Sequence, residues 1–379
     1  MKIIFFAASD SFLYNFCLGL ARFLRSQGVE VVMMSSCGEH GALLEAEGFR
    51  WIPLPMKRRS INPSKEFRLF RFLLNSYKEE RPDAVHNFTL KSVIYGGLAA
   101  QLAGIRGRIN TLPGLGYVFS SQSVLAHALR PLLKVLLRLA LRGDSSRLIV
   151  QNPDDRQLFF ANRLISPDNI FLIKGGAGSG VDTAYFSAAT RQRGKKFKVL
   201  LASRLLWEKG VGIYAEAAEL LAHRADEIEF LLAGAPDAGN PGSISEDDVK
   251  RWQSAGRLRL LGHVKDMRKL FNEVDLVVLP SHYREGVPQV LIEAASMSLP
   301  LITTDAPGCR EIVADGVNGF LIPIKNAPAL ADKIVHLLDH PALCEKFGQA
   351  GREKVLKEFA QHLVLRQTES VYRSLGLAF

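Results

Sequence analysis

Cysteine pairs are missing from this sequence: Cys17, Cys37, Cys309 and Cys344 include no C-x-x-C spacing. That argues against a structural zinc site or a disulfide framework and for a reducing, cytoplasmic setting. No Asp-x-Asp motif or His/carboxylate cluster offers ligands to a metal ion, so none is expected. Uninterrupted apolar runs of about 18 residues are missing too, which argues against a spanning helix. The apolar start from Lys2 to Ala8 stops at Ser9 and Asp10, too soon for a signal peptide, and reads as a first buried strand.

Acid is scarce in the first half. Residues 1–178 hold 23 Lys and Arg against 13 Asp and Glu, and the rest of the chain holds 25 of each. The whole net charge of +10 therefore belongs to the first half. Such asymmetry points to an anionic partner, a membrane or a nucleic acid. With 47% hydrophobic and 23% charged residues the chain reads as well-cored. Its length suggests two domains of about 150–200 residues.

Short β-rich runs alternate with helical patterns throughout, the signature of α/β layers with parallel sheets. In the first half strands are expected at 2–8, 29–34, 83–86, 107–111, 147–151 and 170–173, with helices near 13–27, 64–80, 90–104, 124–142 and 153–163. The pattern restarts at Phe197–Ser203, then a helix over 209–223, and strands at 229–233, 258–261, 276–280 and 301–303. The expected division is a domain over 1–178, a Gly-rich and polar linker over 179–196, and a domain over 197–355. A last helical segment over 356–379 is expected to pack back on the first domain.

The most telling stretch runs from Glu285 to Glu293, two carboxylates eight positions apart at a loop-to-helix junction. Pro288 suits the first turn of a helix, and the amides at such a start bind anions. Glu285 would sit at the helix mouth and Glu293 more than one turn inside. Upstream, Arg204 and Lys209 both leave the turn after the 197–203 strand, so their side chains can converge on one anion. Basic residues at strand ends are also common surface features. The two carboxylates further along the same domain tip the balance to a ligand site.

These residues resemble the donor domain of glycosyltransferase family 4, in the GT-B class. The matching pieces are G-V-D-x-x-x-F (Gly180 to Phe186), S-R-x-x-x-x-K-G (Ser203 to Gly210), G-H-V (Gly262 to Val264) and E-x7-E (Glu285 to Glu293). The resemblance implies two Rossmann-like domains facing a central cleft and a nucleotide-sugar donor, UDP-linked by analogy, with no further cofactor. By it Arg204 and Lys209 bind the donor diphosphate, Gly286 and Val287 add backbone N–H groups, Glu293 takes the ribose hydroxyls and Glu285 faces the donor sugar. His263 and Val264 fall in the donor site, and Glu285, Arg204 and Lys209 are the expected catalytic set. The loop from Pro307 to Val313 corresponds to a family loop near the donor.

The first half resembles the subgroup that extends polyprenyl-diphosphate-linked sugars in O-antigen, capsule or N-glycan precursor assembly. His86, Lys91, Asn110, Thr111 and Tyr117 are its candidate acceptor residues, with structural hydrogen bonding the plain alternative for His86. The histidine that many relatives carry after the 107–111 strand is absent here, as is a glycine pair in the first loop. Arg130, Lys134, Arg138 and Arg142 recur at four-residue steps among Leu, Val and Ala, which predicts a cationic stripe beside an apolar arc. A buried helix with one wet face is the alternative. Lys57, Arg58 and Arg59 open a second basic stretch that runs to Arg71.

The expectation is thus a retaining, metal-independent glycosyltransferase moving a hexose or N-acetylhexosamine from a UDP-sugar to a polyprenyl-diphosphate-linked saccharide. It would work at the inner face of the cell membrane, with nucleotide sugar, lipid-linked glycan and anionic membrane as partners. One rival is a nucleotide-sugar epimerase or phosphorylase of the same fold. Another is a nucleic-acid-binding protein, disfavoured because the positive stripe is set among leucines and not base-stacking aromatics.

Overall fold

A computed structural model of the chain describes residues 1–56, 60, 62–114, 119, 124–175, 178–187, 194–237 and 239–377. The chain folds as two compact units, Met1–Gly180 with Gln361–Phe379, and Val181–Ala360. Each is a parallel sheet covered by helices.

The first unit carries β1 (Lys2–Ala7), β2 (Glu30–Ser36), β3 (Arg50–Leu54), β4 (Ala84–Phe88), β5 (Gly107–Leu112), β6 (Ser146–Val150) and β7 (Ile170–Leu172), in the order β3-β2-β1-β4-β5-β6-β7. The second carries β8 (Phe197–Ala202), β9 (Ile228–Ala233), β10 (Arg259–Gly262), β11 (Leu276–Leu279), β12 (Leu301–Thr304) and β13 (Gly319–Ile322), in the order β10-β9-β8-β11-β12-β13. Both are doubly wound, Rossmann-like sheets, with strand order reversing between β1 and β4 and between β8 and β11.

Two strands were not expected from the sequence, β3 and β13, and both are sheet edges. An edge strand needs no continuous apolar run. That explains Pro53 and the exposed Arg50 in β3, since an edge tolerates proline. The 13–27 helix also differs: Ser9 caps a start at Asp10, and a π-helical turn at Leu13–Cys17 precedes Leu18–Ser26.

The last helix, Gln361–Arg373, belongs to the first unit, where Val364, Leu365, Val371 and Tyr372 join Ile3, Phe5 and Ala7 in one apolar core. Chain entry to and exit from the second unit are adjacent, because Val181 N–H donates to Phe359 O at 3.0 Å.

β4 runs on to Phe88, two residues past the expected end, so His86 lies mid-strand and is 1% exposed. Its Nδ1 bonds the Tyr372 hydroxyl at 2.6 Å and its Nε2 the Thr111 hydroxyl at 2.7 Å. Burial pushes its imidazole down to about 3, which keeps the ring neutral. Asn110 is equally interior, accepting from Asn87 and donating to Ser146 Oγ and Arg147 O. In this structure the polar groups of His86, Asn110 and Thr111, the expected acceptor residues, bond across the sheet and to the last helix.

Tyr372→Phe leaves a buried imidazole nitrogen without its partner and should cost about 1–3 kcal/mol in urea unfolding. Stability unchanged within error would contradict the structural role given to His86.

Candidate functional site

At a strand-order reversal the loops leaving two adjacent strands turn to opposite sides, which opens a crevice at the strand ends. In the second unit these strands are β8 and β11, paired in parallel. The segment after β8 carries Arg204 and a 3-10 turn, Trp207–Lys209, before the helix Val211–Leu220. Gly210 closes the turn at φ +78°, where a Cβ would collide with Pro280 O of the other loop. Only glycine permits that approach.

Two hydrogen bonds tie the loops together, since Ser281 Oγ and His282 N both donate to Glu208 O at 3.0 Å. The loop after β12 joins them. Thr304 Oγ1 donates to Ser281 O, and Glu285 N–H donates to Pro307 O at 3.2 Å. Gly308, at φ +84°, sits where any side chain would strike Gly286 O.

This frame brings Lys209 and Glu285 together. Lys209 Nζ lies 2.6 Å from Glu285 Oε1, and the side chains are only 16% and 10% exposed. Ser281 Oγ, shared between Glu208 O and this carboxylate, lies 3.0 Å from the same oxygen. Burial pushes the neighbouring Glu208 carboxyl up, against the pull of Arg204 and Lys209. Burial also pushes the Cys309 thiol up to about 12, with Glu285 adding to it, so Cys309 is no nucleophile.

Glu293 stands on the helix Gln289–Ser296, which begins after Pro288 with no side-chain cap. Glu293 accepts from Gln289 Nε2 at 3.1 Å. Its partly buried carboxyl is pushed up to about 7 by desolvation, which the Gln289 bond only partly offsets.

Arg204 pairs with Asp237, its Nη1 2.6 Å from Asp237 Oδ2. His263 is exposed and Val264 partly buried in the turn after β10, and Gly262 O accepts from Gly234 N at 2.7 Å. Gly286 and Val287 are buried beside Glu285.

In the first unit, Lys91 pairs with Glu66 at 2.9 Å and reaches Ser60 O at 3.2 Å. Arg138 donates to the carbonyls of Asn162 and Arg163. Arg130 and Lys134 are half-buried and Arg142 is exposed. Tyr117, Lys57, Arg58 and Arg59 lie outside the described residues.

Sequence reasoning missed Glu208, Ser281 and Asp237. Glu208 and Ser281 touch motif residues and were readable only as spacers. Asp237 sits in the Pro-, Gly- and Asn-rich stretch after β9, where a turn is all that composition signals. Among the described residues no group of three or more His, Cys, Asp or Glu is arranged to hold a metal ion.

Fold and site together define a glycosyltransferase of the GT-B class. Residues 196–340 match the model for glycosyl transferases group 1, and residues 2–152 the model for glycosyl transferase 4-like domains. The chain belongs to this glycosyltransferase family. It is 28% identical to the N,N'-diacetylbacillosaminyl-diphospho-undecaprenol alpha-1,3-N-acetylgalactosaminyltransferase of Campylobacter jejuni, over 98% of both chains. A second relative is the Escherichia coli UDP-Gal:alpha-D-GlcNAc-diphosphoundecaprenol alpha-1,3-galactosyltransferase, 26% identical over 81% of this chain and 80% of its own. Among solved structures, Anabaena HepE in complex with UDP-glucose superposes with a TM-score of 0.79 at 21% identity, covering 100% of both chains.

An acid held above its ordinary 4.5 in the folded protein loses stability as pH climbs from there to about 7, because the folded state binds the extra proton. Glu293→Gln should therefore raise the melting temperature at pH 8 and leave it unchanged at pH 4.5. The opposite order in a thermal scan would show that Glu293 is not strained by burial.

Proposed function

We propose that the chain transfers a hexose or N-acetylhexosamine from a UDP-sugar to a saccharide carried on a polyprenyl diphosphate, in surface-polysaccharide or glycan-precursor assembly. Transfer proceeds with retention at the anomeric carbon and without a metal ion. The meeting of Lys209 with Glu285 just before the Gln289–Ser296 helix carries this reading. A cation for phosphate and a carboxylate for hydroxyls, side by side, match the two ends of a nucleoside-diphosphate-sugar bond.

In the proposed complex the donor diphosphate takes Lys209 and Arg204, with N–H groups of Gly286 and Val287 on its oxygens. Glu293 receives the ribose hydroxyls, Glu285 the hydroxyls of the sugar, and the His263–Val264 turn borders the nucleoside. The bond from C1 to the diphosphate oxygen breaks, and Lys209, Arg204 and the helix amides stabilise the charge left on the diphosphate. The acceptor oxygen bonds to C1 on the face the diphosphate leaves, and its proton passes to a diphosphate oxygen. The relatives named for diphospho-undecaprenol acceptors support the acceptor class, and the neighbour with UDP-glucose supports the donor class.

Membrane contact completes the reading. The helices Pro63–Glu80 and Val124–Ala140 both pack against Leu90–Leu102, so the two basic stretches flank one layer. That layer exposes Phe67, Leu102, Leu132, Val135 and Leu139 beside Lys65, Arg68, Arg71, Arg138 and Arg142. Apolar side chains ringed by cations suit an anionic bilayer surface, each cation near it contributing about 1 kcal/mol.

Incubation of a UDP-sugar panel with polyprenyl-diphosphate sugars should yield an extended lipid-linked product. Glu285→Ala or Lys209→Ala should lower its rate about 100-fold or more with folding intact; full activity in both would overturn the site. Leu132→Gln with Leu139→Gln should weaken co-sedimentation with anionic vesicles about tenfold and leave UDP binding unchanged. Vesicle binding equal to wild type would remove this layer from the account.

A further inference from the structure

We infer that Asp237 is a positioning residue for the donor diphosphate, acting through Arg204; this rests on the donor-site reading above. Arg204 has 48% of its side chain exposed, and an arginine so placed samples many rotamers. Yet its Nη1 sits 2.6 Å from Asp237 Oδ2, and Asp237 is only 17% exposed. The carboxylate, not the guanidinium, is the ordered partner.

The order comes from the loop that follows β9. Gly234 leaves the strand at φ +138°, where a Cβ would collide with Ser203 O, so the loop starts directly against the segment that carries Arg204. Leu205 N–H donates to Ala235 O at 3.0 Å, Ile244 N–H to Leu205 O at 2.9 Å, and Trp207 N–H to Gly242 O at 2.9 Å. Both flanks of the loop are thus pinned to the backbone around Arg204.

Inside the loop the aspartate is fixed again. Its own N–H donates to Ser243 Oγ at 3.0 Å, and Asn240 Nδ2 donates to its Oδ2 at 3.0 Å. Asn240 is held in turn by its N–H to Asp237 O at 2.9 Å and by Gly242 N–H to its Oδ1 at 3.1 Å. A carboxylate so restrained does not follow the arginine; it dictates where the arginine points.

An arginine presents five N–H donors in a planar fork. With Nη1 on Asp237, the other edge of the fork remains to bind phosphate bidentately. Asp237 thereby fixes the plane of the fork before the donor arrives, so less side-chain freedom is lost on binding. The carboxylate also places negative charge near the diphosphate. If that repulsion dominated, removing it would tighten binding, which gives the inference a sign to be tested.

The test is UDP affinity by calorimetry, and donor KM and kcat, for Asp237→Asn, Asp237→Glu, Arg204→Ala and the double variant Arg204→Ala/Asp237→Asn, each with its melting temperature. We expect Asp237→Asn to weaken UDP binding about tenfold and to lower donor kcat/KM at least as much. Asp237→Glu should recover part of the loss. In the Arg204→Ala background Asp237→Asn should have no further effect, because it acts through the missing guanidinium. Tighter UDP binding in Asp237→Asn, or an undiminished tenfold loss on top of Arg204→Ala, would overturn the inference. Unchanged UDP binding in Arg204→Ala would instead overturn the donor-site reading on which it rests.

Discussion

The ion pair between Lys209 and Glu285 is the interaction around which the second unit is arranged. Two charges that are 16% and 10% exposed are costly to keep away from water and tolerable only together. Each arrives on a different loop, from strands that lie side by side because strand order reverses there. Removing either partner leaves the other charge buried without its ion-pair partner. In the proposed complex a diphosphate takes over the lysine while sugar hydroxyls take over the glutamate, so a nucleotide sugar satisfies both groups and a nucleotide alone satisfies one.

That arrangement depends on backbones that approach closer than side chains allow. Gly210 against Pro280 and Gly308 against Gly286 are the two places where a single Cβ would push the loops apart. Glu293 shows the opposite trade. Its carboxyl is desolvated enough to titrate near 7, which costs folding stability and leaves an acid with one protein hydrogen bond from Gln289, open to a better set of donors.

Much of this was legible in the sequence, for identifiable reasons. Strands β8 and β11 carry the buried apolar runs Val199–Ala202 and Leu276–Leu279, so their carboxyl ends, with Arg204, Lys209 and Glu285, could be placed from spacing. Edge strand β3 is broken by Arg50 and Pro53, whereas the short β13 was passed over although Phe320–Ile322 is apolar. His86 was misplaced because Asn87 interrupts the apolar pattern of β4, although the strand continues to Phe88 with Asn87 bonded to Asn110. Long-range partners were beyond reach altogether: no pattern links Tyr372 to His86 or Asp237 to Arg204, because those contacts follow from the packing of the last helix and from the pinning of a loop to a distant backbone segment.

The central claim is that Lys209 receives the donor diphosphate, and the ratio of UDP to uridine affinity tests it most directly. Calorimetry on wild type and Lys209→Gln isolates the phosphate contribution, because uridine carries none. The account predicts that the ratio falls at least about 100-fold in the variant while uridine affinity holds. A ratio equal to that of wild type would contradict it.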